Sequence, residues 1–80
     1  YYYMGEIYIR QAKYQHADIS FSTAVHTEPL VDYWWTRCGY AREMTGNYSS
    51  ALEAYSKAIE LNGSNSDAIR GRERVVAKLR

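Results

Sequence analysis

Shifting this chain against itself by 34 residues superimposes Gly5 on Gly39, Tyr14 on Tyr48, Ala17 on Ala51, Ser22 on Ser56 and Ala24 on Ala58 without a gap. Phe21 on Tyr55 and Val25 on Ile59 follow as like-for-like replacements. A fixed period of this length constrains the fold more than composition does. Each repeat must be one supersecondary unit that buries its apolar face only against its neighbours.

Helical spacing runs on both sides of a break at Thr45-Gly46-Asn47 in the second unit. Trp35, Cys38, Gly39 and Arg42 stand at i, i+3, i+4 and i+7, so one face sets a large ring beside two small residues and invites a close helix crossing. Gly46 and Asn47 tolerate a left-handed turn and let the chain reverse. Beyond it, Ala51, Tyr55, Ala58 and Asn62 keep three- and four-residue steps, with Leu52 and Ile59 widening the apolar side, until Asn62-Gly63 stops the helix.

Trp35, Cys38-Gly39, Gly46, Tyr48, Ala51, Tyr55 and Ala58, in that order, resemble the tetratricopeptide repeat. Tyr1, Met4-Gly5, Tyr8, Tyr14, Ala17, Phe21, Ala24 and Pro29 follow the same pattern in the first unit. The chain departs from the pattern at Arg42, where Tyr8 supplies the aromatic, at Ala12, where Gly46 supplies the turn glycine, and at Gly63, where Pro29 ends the first unit. The hairpins survive these changes: an arginine stem can lie on apolar surface, an alanine suits a turn that stays right-handed, and glycine stops a helix as proline does.

The spacing predicts helices over about 1–12, 15–28, 32–45, 48–61 and 66–79. The resemblance implies an all-α fold, a right-handed stack of antiparallel helix hairpins forming an alpha-alpha superhelix. One domain over 1–80 would hold a first repeat at about 1–31, a second at about 32–65 and a capping helix at about 66–80. Glu73 stands where a third unit would carry the counterpart of Gly39, and a charge there obstructs further stacking, as a polar-backed cap should. Gly5, Ala17, Ala24, Gly39, Ala51 and Ala58 let backbones approach, and Trp35, Tyr14, Tyr48, Phe21 and Tyr55 fill the space between them.

Catalysis has no visible basis. No nucleophile, base and orienting acid share a pattern, and His16 and His26 are too far apart on one helix for the i, i+4 metal pair. The glycines are scattered rather than gathered into a phosphate loop. We therefore expect no enzyme, no metal and no cofactor. Cys38 is the lone cysteine and reads as a small buried hydrophobe. Asn47-Tyr48-Ser49 and Asn62-Gly63-Ser64 fit the glycosylation pattern, but turn formation already accounts for them.

A net charge of +1 argues against a nucleic-acid binder. Mean hydropathy is -0.55 and no apolar run approaches the roughly 20 residues of a membrane span, so no membrane insertion is expected of this stretch. Starting on a tyrosine and without a secretory leader, the chain reads as part of a longer protein; its compartment stays open, with a slight preference for the cytoplasm. Charge is uneven: Arg70, Arg72, Arg74, Lys78 and Arg80 against Asp67 and Glu73 leave +3 on the last 15 residues, and the rest carries -2.

The resemblance implies that the first helix of each unit lines a concave groove for a peptide or helix of another protein, with the chain acting as adaptor or scaffold. Mapped onto this sequence, the groove takes Tyr2, Glu6, Ile9 and Arg10, then Tyr33, Thr36, Tyr40, Glu43 and Met44, then Asp67, Arg70, Arg74 and Lys78. Arg70, Arg74 and Lys78 form one stripe at i, i+4, i+8, while Tyr33, Tyr40 and Met44 are apolar contacts that the core does not demand. We take Tyr2, Glu6, Tyr33, Tyr40, Met44, Arg70, Arg74 and Lys78 as the partner-binding set, for an acidic or aromatic segment. Tyr2, Glu6, Arg37, Asp67 and Gly71 occupy the places where chaperone-binding members hold a terminal carboxylate, so that clamp is not reproduced. Two alternatives remain: homo-oligomerisation through the face opened by Tyr1, Tyr2 and Tyr3, or service as a regulatory domain of a larger enzyme.

Overall fold

The structure, a computed structural model, describes residues 2–80. The expectations placed on Tyr1 lie outside the described residues. Five helices follow one another: α1 (Tyr2–Arg10), α2 (Tyr14–Thr27), α3 (Asp32–Met44), α4 (Tyr48–Leu61) and α5 (Ser66–Leu79). Among the described residues there is no strand, so the chain is all-helical. Each helix packs on the next, and α3 also meets α5.

Small residues face rings where the period places them. A Cβ on Gly5 would come within 2.6 Å of the Phe21 ring, and one on Gly39 within 2.9 Å of the Tyr55 ring, so both crossings are closer than any side chain allows. A third contact of this kind comes from Gly71, where a Cβ would overlap Tyr55 from the α5 side. Glu73 stays exposed on α5. Two buried clusters result. Ala17, Phe21, Cys38, Ala41 and Ala54 form one; Ala51, Tyr55, Ala58, Ala68 and Val75 form the other. Trp35 packs against both and anchors its indole N–H on the Pro29 carbonyl at 2.8 Å.

The first hairpin turn departs from expectation. Ala12 takes φ 57°, in the left-handed region, not the right-handed turn that alanine suggested. The reason lies in how the helix ends. Lys13 N–H donates to the Tyr8 carbonyl at 2.8 Å and Ala12 N–H to Ile9 at 3.0 Å, the paired closure of a Schellman motif, which needs positive φ at that residue. Gly46, at φ 84°, sits in the same closure: Asn47 N–H to Arg42 at 2.9 Å, Gly46 N–H to Glu43 at 3.0 Å. Closure geometry therefore repeats even where the residue type does not, and it ends α1 two residues before the expected position.

Arg42 does more than rest its stem on apolar surface. Its guanidinium donates to Asp18 at 2.9 Å, to Ser22 Oγ at 3.1 Å and to the Ser50 carbonyl at 3.2 Å, tying α2, α3 and α4. Cys38 is buried as expected, though Asp18 and Ser22 stand near its sulfur. Burial pushes its thiol up to about 11, so it stays protonated at neutral pH. The α4–α5 turn is latched as well. Asn65 caps α5 through Ala68 N–H at 3.0 Å and donates to Asp32 Oδ2 and Thr36 Oγ1, both at 2.8 Å. Asn62 adds a bond to Asp32 at 3.2 Å.

Candidate functional site

Between α3 and α5 lies a cleft of about 250 Å³, lined by Tyr33, Thr36, Arg37, Tyr40, Tyr55, Asp67, Arg70 and Arg74. Its α3 wall follows from helical spacing: Tyr33, Arg37 and Tyr40 are three and four residues apart and so share a face. Asp67, Arg70 and Arg74 are set the same way on α5. Tyr55 contributes from α4 because Gly39 and Gly71 leave room for its ring between the two walls.

Four of the expected partner-binding residues, Tyr33, Tyr40, Arg70 and Arg74, thus meet in one cleft. Tyr2 and Glu6 adjoin it. The Tyr2 ring lies 6.0 Å from Tyr33 and stacks on Trp34 at 5.2 Å, while Glu6 accepts a 2.8 Å hydrogen bond from Arg37 Nε. Lys78 is close enough for its charge to act on Glu43. Met44 lies apart, lining a shallow depression with Ala12, Lys13, Tyr14, Gln15, His16 and Thr45. Ile9, from the wider groove set, packs against the first buried cluster instead.

Charges in the cleft are mostly spent within the chain. Arg74 grips Glu43 with two donors, Nε at 2.9 Å and Nη2 at 3.1 Å, and Tyr55 Oη donates to the same carboxylate at 2.8 Å. Burial opposes the Glu43 charge, but these donors outweigh it and hold the carboxyl below its ordinary value. Donating to the Glu43 carboxylate holds the Arg74 guanidinium more firmly protonated. At Arg37, burial opposes the charge and Glu6 outweighs it. Its guanidinium also lies 5.0 Å from the centre of the Tyr40 ring, a cation–π contact. Burial, then a neighbouring acceptor, raises both Tyr2 and Tyr55 above the usual phenol value, so both remain neutral. Arg70 is exposed and forms no ion pair among the described residues.

Sequence reasoning treated Tyr55 as core alone and, although it put Arg37 at one of the clamp positions of the groove, did not count it among the partner-binding residues. A signal for the pairings was present. Glu6–Arg37 and Glu43–Arg74 are both separated by 31 residues, one period less one helical step, the spacing at which equivalent helices of successive units put neighbouring side chains side by side. Among the described residues no group of His, Cys, Asp and Glu could hold a metal, and no helix is long and apolar enough to cross a membrane. The cleft offers flat rings, hydroxyls and guanidinium donors, an arrangement suited to holding a ligand. No family model matches the chain, and no curated protein is significantly similar to it in sequence.

Proposed function

We propose that this chain is a non-catalytic protein-binding module of the tetratricopeptide type, a right-handed stack of two helix hairpins and a cap that works as an adaptor or scaffold. A segment of a partner protein lies along the side presented by α1, α3 and α5. The observation that carries this reading is the cleft itself, in which half-exposed Tyr33 and partly buried Tyr40 stand opposite Arg70, which has no ion pair among the described residues. Tyrosine anchors a partner at low entropic cost, and arginine forks onto carboxylates and carbonyls. Partners captured with the full-length protein supply segments for titration against this chain. Tyr40→Ala should weaken binding more than Arg70→Ala, because buried anchors exceed about 2 kcal/mol and exposed charge pairs give about 0–1. Loss of binding in Glu53→Ala or Lys57→Ala, with both cleft variants unaffected, would move the site to the α2–α4 side.

Self-association is the second reading, and one observation favours it. Tyr3, Met4 and Ile7 of α1 and Ile19 of α2 are exposed, with Tyr3 at 80% and Ile19 at 68%. Light scattering over a concentration series distinguishes a monomer from a dimer.

A further inference from the structure

The donor and acceptor inventory of the cleft identifies the kind of segment it suits. Donors dominate: the guanidinium groups of Arg37, Arg70 and Arg74 and the phenols of Tyr33 and Tyr40. Carboxylate acceptors are scarce, and the other acceptors include the phenol oxygens, which donate as well. Glu6 and Glu43 are occupied by Arg37 and by Arg74 with Tyr55, and Thr36 Oγ1 accepts from Asn65, which leaves Asp67 as the carboxylate outside any ion pair among the described residues. A strand or a helix end brings backbone N–H groups that would find little to bond here. A proline-rich segment brings carbonyls and no N–H at its prolines, and its backbone makes no internal hydrogen bonds.

Shape agrees with this chemistry. The apolar part of the lining consists of the Tyr33 and Tyr40 rings and the arginine stems, with no branched aliphatic side chain, the Tyr55 ring beneath them being closed off at 1% exposure. Aromatic-lined grooves are the usual receptors for polyproline II segments. Tyr33 and Tyr40 are seven residues apart on α3, which is roughly 10 Å along a helix and close to the roughly 9 Å turn of polyproline II, so the two rings can meet residues i and i+3 of such a segment.

We infer that the cleft between α3 and α5 receives a proline-rich, extended segment of a partner protein, carrying one acidic side chain that meets Arg70. One acidic group suffices because Arg37 and Arg74 already hold carboxylates of this chain. The inference rests on the groove reading above and adds to it the backbone form and composition of the occupant.

The test titrates the chain with three labelled peptides of equal length, read by fluorescence anisotropy: prolines with one central glutamate, prolines with a central glutamine, and an amphipathic helical peptide of the same net charge as the first. The glutamate peptide should bind most tightly, the glutamine peptide about ten-fold or less weaker, and the helical peptide more weakly still. Tyr40→Ala and Tyr33→Ala should each weaken the glutamate peptide by about ten-fold or more, and Arg70→Gln should make the glutamate and glutamine peptides equal. Circular dichroism of each variant confirms that the helices persist. If the proline peptides do not bind and the helical peptide does, with Tyr40→Ala abolishing it, the inference falls and the groove reading stands. If the proline peptides bind but only Glu53→Ala or Lys57→Ala affects them, both fall. Absence of binding by all three peptides at millimolar concentration also overturns the inference.

Discussion

Ala12 is a residue whose position was readable and whose conformation was not. The period aligns it with Gly46, which marks the turn correctly, but side-chain identity pointed to right-handed backbone and hydrogen-bond closure imposed φ 57° instead. A left-handed conformation costs a non-glycine residue about 1–2 kcal/mol, partly offset by the greater unfolded-state entropy of glycine. Ala12→Gly should therefore stabilise the chain by about 0.5–1 kcal/mol, seen as a raised urea midpoint with unchanged slope. Glu43 gives a second test. Its carboxyl lies below the ordinary value of 4.5 in the folded chain, so its contribution is complete above that pH and is lost as pH falls through the lower folded value. Glu43→Gln should be less stable than the parent at neutral pH, and the difference should shrink as urea titrations move below pH 4.5.

Helix spans were largely legible, because three- and four-residue spacing and the Thr45-Gly46-Asn47 and Asn62-Gly63 breaks are local signals. Contacts between helices were only half legible. Small-to-ring pairs within a unit follow from the period, whereas the Gly71 contact on Tyr55 joins one unit to the next helix and has no equivalent to align with. Ala51 is fully buried beside Tyr55 and Ala58, so Ala51→Leu should cost about 1–3 kcal/mol through overpacking. An unchanged denaturation midpoint would contradict that placement. Gly71→Ala tests the joint between α4 and α5. Alanine favours a helix by about 1 kcal/mol over glycine, but overlap with a fully enclosed ring outweighs this, so the net change should be destabilising.

At the scale of the molecule, the chain should give an all-helical circular dichroism spectrum and unfold cooperatively at modest denaturant, since it falls short of the roughly three repeats a self-supporting stack needs. The candidate site was legible as a set of surface residues and not as a circuit. Exposed tyrosines and an arginine stripe can be read from spacing, but which arginine remains unpaired depends on carboxylates 31 residues away. The Tyr55 ring connects this site to the rest of the fold. It is held between Gly39 and Gly71, and its hydroxyl reaches Glu43 at the cleft. Anything that settles on this floor also holds together three helices that would have to separate for their amides to exchange with solvent. Occupancy should therefore slow hydrogen–deuterium exchange along α3, α4 and α5 as a block, including amides far from the ligand.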